Sequence, residues 1–309
     1  MRHRAWIKLV VGGLLGLITP LLAMGAPKRP RILGIRHVEI HVSDPAAANS
    51  FYRALDPVIG ECSACKSSLP RIWLQLPNSQ SVLIWNDTSS QPTSNFLKSV
   101  GFETDDVRTM AEFLKANRIS FQWDLPVDGD MSLIVADPEG HEIRLIEPAP
   151  DRLNQGRSGI LKPKPVRLIH AGFVVKDRDA EDKFYKDILG FHVYWHGGMK
   201  DGEDNWVDMQ VPDGTDWIEY MLRVSPDASH KTLGVMNHIA LGVPDIHAAQ
   251  QQLIKNGWKG TEEPKIGRDG KWQLNLYDPD ETRVELMEFK PAKEPCCSAY
   301  TGPHPGPPQ

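Results

Sequence analysis

One block of sequence recurs through this chain in register, and that recurrence limits the fold more than any other feature. Arg36-His37-Val38-Glu39-Ile40-His41-Val42-Ser43-Asp44 runs through an alanine-rich stretch to Phe51-Tyr52. Ile169-His170-Ala171-Gly172-Phe173-Val174-Val175-Lys176-Asp177 runs in the same way to Phe184-Tyr185. His37 and His170, like Phe51 and Phe184, stand 133 residues apart, so the spacing holds from one segment into the next. A second pair of segments matches, Phe96 to Asn117 with Val235 to Asn256. Asp137-Pro138-Glu139-Gly140 before Ile143-Arg144-Leu145 likewise parallels Asp278-Pro279-Asp280-Glu281 before Val284-Glu285-Leu286. The chain therefore contains four copies of one unit.

Each unit reads as a strand, a helix and then further strands. The first apolar run ends in Asp, a residue suited to capping the helix that follows. Ala180 to Leu189 and Ile246 to Lys255 carry helical spacing, with Gly190 and Gly257 as stop signals. Trp206 to Val211 alternates apolar and polar residues, Pro212-Asp213-Gly214-Thr215 turns, and Trp217 to Leu222 returns as the next strand. A proline-rich linker at 151–165 separates two domains, 31–150 and 166–291, and a Pro/Gly-rich tail at 292–309 reads as an extended surface segment.

The formal net charge of −5 argues against general nucleic-acid binding, which needs a basic surface. A small-molecule substrate is the expected partner, for a monomer or a homodimer. Residues 1–26 read as a signal peptide. Arg2, Arg4 and Lys8 precede the apolar run Leu9 to Leu22, and Ala23-Met24-Gly25-Ala26 offers small residues for cleavage. Export to the periplasm or beyond, with no membrane partner after cleavage, is the resulting expectation. In an oxidising compartment Cys62 can pair with Cys65 and Cys296 with Cys297, although four cysteines allow three connectivities.

Four βαβββ units, with His opening the first strand, Phe-Tyr in the helix and Asp-Pro before the last strand, resemble the vicinal oxygen chelate superfamily. That superfamily includes glyoxalase I, methylmalonyl-CoA epimerase, extradiol dioxygenases and the fosfomycin and bleomycin resistance proteins. The resemblance implies an α+β fold of tandem modules, paired into two domains whose curved mixed sheets each surround a cavity. It also implies metal positions at His170, Glu219, His238 and Glu285 in the second domain. Imidazole and carboxylate suit one divalent ion, whether Zn, Ni, Mn, Co or Fe. In the first domain only His37 matches, with Ile84, Ser99 and Arg144 standing at the other three places. His37, Glu39 and His41 share a strand face, but neighbours on such a face stand about 7 Å apart, too far to chelate one ion well.

The ligand set divides the family's chemistries. Extradiol dioxygenases use two His and one Glu for iron, matching His170, His238 and Glu285, and usually add a Tyr ten residues before that Glu. Asn275 stands there, with Tyr277 displaced by two. Glu219 adds a fourth position of the kind used by glyoxalase-like lyases and isomerases, in which Glu219 or Glu285 would move a proton beside an enolate. A lyase or isomerase is therefore expected first, a ring-cleaving Fe(II) dioxygenase second and a non-catalytic binding protein third. Trp195, Trp206, Trp217 and Trp272 are candidates to line the pocket, with Arg268 or Lys271 to meet an anionic group.

Overall fold

The computed structural model describes residues 27–55, 58–60, 71–77, 80–86, 97–124, 129–150 and 166–308. The leader at 1–26, the Cys62–Cys65 segment and the linker at 151–165 lie outside the described residues. Within the described part, no helix is long and apolar enough to cross a membrane.

The first half contains β1 (Ile32–Val42), α1 (Pro45–Ala54), β2 (Val58–Gly60), β3 (Arg71–Gln75) and β4 (Ser81–Asn86). Then come β5 (Leu97–Thr104), α2 (Val107–Ala116), β6 (Gln122–Trp123), β7 (Met131–Ala136) and β8 (Glu142–Glu147). The second half repeats the order. β9 (Arg167–Val174) leads into α3, a short α segment (Arg178–Asp182) that continues as a π-helix (Lys183–Ile188). β10 (His192–Gly197), β11 (Trp206–Gln210), β12 (Trp217–Met221) and an added helix α4 (His230–Met236) follow. β13 (His238–Val243), α5 (Ile246–Lys255), β14 (Lys265–Ile266), β15 (Trp272–Tyr277) and β16 (Arg283–Glu288) complete it.

Each half forms one eight-stranded mixed sheet, in the orders β2-β3-β4-β1-β5-β8-β7-β6 and β10-β11-β12-β9-β13-β16-β15-β14. Modules one and two share the first sheet and modules three and four the second, as the resemblance implied. The capping logic holds at all four repeats. Asp44, Asp106, Asp177 and Asp245 each accept a hydrogen bond from a backbone N–H in the first turn of the helix they precede. Gly190 and Gly257 take positive φ values of 80° and 96° just beyond α3 and α5.

Alternation along the strands sorts two faces. Ala171, Phe173, Ile218 and Tyr220 join a core that also contains Val38, Ile40, Val82 and Ile84 from the first half. The two halves therefore share one hydrophobic interior. The opposite face of the second sheet holds Ile169, Tyr194, Trp195, Trp217, Ala240, Met287 and Phe289. There the tail behaves differently from the surface segment expected. Tyr300 packs on this cluster, Thr301 N–H donates to the Tyr194 carbonyl, and Gln210 and Arg167 donate to the carbonyls of Pro303 and Gly306. Aromatic rings and carbonyl acceptors in the tail outweigh its low apolar content. Cys296 and Cys297 form a disulfide within it.

The halves are joined by two mirrored clasps. Tyr52 of α1 donates its hydroxyl to Asp278 in the turn before β16 (3.1 Å), and Tyr185 of α3 donates to Asp137 in the turn before β8 (3.1 Å). Between them Gln80 donates to the carbonyls of Ile35 and Leu168 and accepts from Leu168 N–H. Burial is the largest influence on Asp278 and pushes its carboxyl up to about 6, against the lowering effect of its hydrogen bonds to Thr282, Tyr52 and Asp280. In the unfolded chain this group titrates near 3.9. Between those two values the unfolded state has released a proton that the native state retains. Native stability therefore falls by about 1.4 kcal/mol per pH unit from this group as pH rises across that window. Asp278→Asn keeps the shape of the turn and is expected to flatten the urea-midpoint profile between pH 4 and pH 6.

Candidate metal centre

The neighbouring strands at the middle of the second sheet gather His170, Glu219 and His238 within 4.8 Å of one another, with Glu285 standing beside both imidazoles. His170 lies on β9, Glu219 on β12, His238 opens β13 and Glu285 lies on β16. The register places Glu219 and His238 on either side of Gly172, and Glu285 beside Ala240, which itself pairs with His170. The two Nε2 atoms are 3.1 Å apart. Glu219 Oε2 is 3.0 Å from His238 Nε2 and 3.9 Å from His170 Nε2. Glu285 Oε2 is 3.6 Å from His170 Nε2 and 4.0 Å from His238 Nε2.

These separations fit a single ion. Donors bound at about 2.0–2.2 Å from one metal stand about 3–4 Å from one another. His238 Nδ1 lies 3.0 Å from the Met236 carbonyl; donating a proton there leaves Nε2 unprotonated, its lone pair facing the cluster. Burial lowers both imidazole pKa values, with Arg283 adding to the effect, so both rings are held neutral as metal ligation requires. Burial also pushes Glu285 up to about 7, with Glu219 adding to the rise and Arg283 opposing it. One buried and one partly exposed carboxyl beside two neutral imidazoles are a donor set that a cation would satisfy. The buried Nδ1 of His170 has no hydrogen-bond partner, so this ring is positioned by packing, tilted over Trp217 at 4.8 Å.

Gly172 explains how the imidazoles approach so closely. A Cβ at that position would lie 2.0 Å from Cε1 of the His238 ring. The ring occupies the space that any side chain on this residue would take.

The first half supplies an internal comparison. Register equates Ser99 with His238 and Arg144 with Glu285, as the sequence suggested. It corrects the third position. Glu39 pairs with Leu83, as Gly172 pairs with Glu219, so Leu83 rather than Ile84 stands in Glu219's place. Ile84 faces the shared core instead. The spacing argument over His37 and Glu39 also needs correction, because the side chains converge to 3.3 Å. They meet beside a cation of the protein's own. Arg144 contacts Glu39, Asp124 and Glu142 from the place where the second half has Glu285.

Sequence reasoning missed Arg283, whose guanidinium lies 2.6 Å from His238 Nε2 and 3.8 Å from Glu219. Its signal was present as an exchange of signs, Arg283 and Glu285 in one half against Glu142 and Arg144 in the other. Asn275 lies directly across from Glu285, and its buried Oδ1 has no partner. Lys271 is fully buried, with Nζ 4.4 Å from the Trp217 ring centroid and about as close to Tyr300 and Tyr194. Arg268 pairs instead with Asp201 at the surface. Trp195, Trp206 and Trp217 gather on the metal-side face, whereas Trp272 packs on the shared core.

Residues 167–286 match the family described as the Glyoxalase/Bleomycin resistance protein/Dioxygenase superfamily. The second domain belongs to that superfamily. Among curated relatives, a lactoylglutathione lyase of Haemophilus influenzae is 26% identical over 130 residues, 41% of this chain and 96% of its own length. A probable lactoylglutathione lyase of a Synechocystis species is 28% identical over 141 residues, 41% of this chain and 98% of its own. Among solved structures, a variant of homoprotocatechuate 2,3-dioxygenase from Brevibacterium fuscum superimposes with a TM-score of 0.62 at 20% identity. That match covers 85% of this chain and 72% of the dioxygenase, so the likeness of fold extends through both halves. At that identity it speaks to fold alone.

Proposed function

We propose that the second domain is a divalent-metal-dependent lyase or isomerase of glyoxalase-like type, acting on a small oxygenated substrate that forms an enolate. The observation that carries this reading is Glu219, which adds a second carboxylate to the His170, His238 and Glu285 set at 3.0 Å from the His238 nitrogen. Zn, Ni, Mn, Co or Fe held by these four residues supplies Lewis acidity that stabilises negative charge on the substrate's oxygens. Glu219 is the more exposed carboxylate, its side chain retaining 13% accessibility against 4% for Glu285. It is therefore the residue placed to take and return a proton on carbon, with Glu285 as the buried second base. Arg283, within 4 Å of Glu219, sets a positive charge beside that carboxylate. The lyase names of the curated relatives agree with this chemistry.

Ring cleavage by a dioxygenase is the second reading, favoured by His170, His238 and Glu285, the two-histidine, one-glutamate set expected of an iron site. Asn275 and Glu219 weigh against it, the first offering no ionisable hydroxyl and the second occupying a position that oxygen and a catechol would need. One comparison separates the readings. Hemithioacetals of methylglyoxal with glutathione and with smaller thiols are expected to exchange a carbon-bound proton with deuterated solvent, and a chelator should stop the exchange. Oxygen uptake with catechols, without that exchange, would transfer the proposal to the dioxygenase. Neither activity, with ligand binding indifferent to chelator, would leave a binding protein.

A further inference from the structure

The mirrored clasps have different surroundings, and the difference is chemical. Around Tyr52 and Asp278 stand Ala48, Ile84 and Thr282, all almost fully buried. The same repeat positions around Tyr185 and Asp137 carry Glu181, Tyr220 and His141. Two apolar side chains and a threonine on one side are thus replaced by a carboxylate, a phenol and an imidazole on the other. The first clasp forms without them, so the Tyr–Asp bond does not require them.

These groups are gathered and incompletely satisfied. An oxygen of Asp137, a nitrogen of His141 and an oxygen of Glu181 all lie within 4.8 Å of one another. Glu181 is fully buried; Oε1 accepts from Glu139 N–H at 3.1 Å, while Oε2 has no partner. The buried hydroxyl of Tyr220 and Oδ1 of the adjacent Asp182 also lack partners. Buried polar atoms left in this way are uncommon and point to something that fills the gap. His141 is fixed for ligation, its Nδ1 2.7 Å from Asp137 Oδ2 and its ring stacked on Phe173 at 4.6 Å. Tyr185 donates to Asp137 from behind, the outer hydrogen bond that commonly orients a metal-binding carboxylate.

We propose that Asp137, His141 and Glu181 form a second divalent-cation site, suited to a zinc-like ion and fastening the two halves of the chain together. One imidazole and two carboxylates are an ordinary donor set for such an ion, with the remaining position left to water. An ion there would take up the unpaired Glu181 oxygen. Burial and the neighbouring Asp137 push the Glu181 carboxyl up to about 8. The site is structural in kind because it joins the turn before β8 to helix α3, and so module two to module three.

The test is zinc stoichiometry on the full chain, measured by competition with a chelating dye. Three proteins are compared: wild type, the His170→Ala/His238→Ala double variant and Glu181→Ala, which copies Ala48 of the other clasp. His141→Thr, which copies Thr282, provides a second variant at the same site, and circular dichroism checks that each is folded. The double variant is expected to retain one tight equivalent, and adding Glu181→Ala or His141→Thr to it should remove that equivalent. Zinc should also raise the melting temperature of the double variant and leave the triple variants unmoved. A double variant that binds no zinc, or triple variants that bind as much as the double, would overturn the site. Because the double and triple variants all lack His170 and His238, the comparison among them is independent of the proposed catalytic metal.

Discussion

Glu219→Gln is expected to leave the chain folded while lowering turnover by about 10²–10⁴-fold, the range for loss of a positioned acid–base group. The side chain is partly exposed at the edge of the donor cluster, so its loss leaves no cavity. Glutamine preserves the volume and removes both the charge that faces the ion and the base that faces the substrate. The split between binding and chemistry is measurable. Metal affinity should fall with kcat, and excess metal should restore occupancy without restoring the rate. Full activity in Glu219→Gln with metal bound would remove Glu219 from the mechanism and with it the preference for lyase chemistry. The dioxygenase reading predicts tolerance at this position.

Gly172→Ala should have an effect of similar size from outside the donor set. The added Cβ would meet the His238 ring at 2.0 Å, and neither partner has room to yield because both are buried within adjacent strands. The ring must rotate away from His170, which removes one donor and frees the Met236 carbonyl from its partner. Overpacking of this kind costs about 1–3 kcal/mol of stability, and an ion whose donor is displaced is bound more weakly in addition. The measurement is metal content after gel filtration beside a urea melt. Wild-type metal retention in a folded Gly172→Ala protein would mean that His238 is not a ligand. Gly101 gives a contrasting case in the first half. Its missing Cβ faces Ile146 and His37, with no ring like that of His238 to displace.

Much of this architecture was legible because repetition is a strong signal. Four Asp caps, the helix stops at Gly190 and Gly257 and the hairpin from Trp206 to Met221 all came from local chemistry repeated in order. The four donors were legible through resemblance, since nothing about a lone His in an apolar strand says that another ring lies 3.1 Å away. Register was harder. Leu83 and Ile84 are adjacent and both apolar, and only strand pairing decides which of them faces the cavity. The long-range partners were invisible for a related reason. Arg144 reads in sequence as a missing ligand, but its role depends on Glu39 and Asp124 arriving from other strands. The tail misled because a proline-rich composition speaks of weak self-association and not of carbonyls offered to Gln210 and Arg167.

The Tyr–Asp clasps bear on why a half that lacks the His170, Glu219, His238 and Glu285 donor set is retained. Each half finishes the other's turn, since the hydroxyl for Asp278 comes from α1 and the aspartate for Tyr185 comes from the turn before β8. A fragment containing 166–308 would own every donor of the metal centre and yet expose the face that Ile40, Val82 and Ile84 now cover. The first half thus acts as a tethered chaperone that never departs. Selection on the second half for chemistry is then, through this shared interior, also selection on the first for shape.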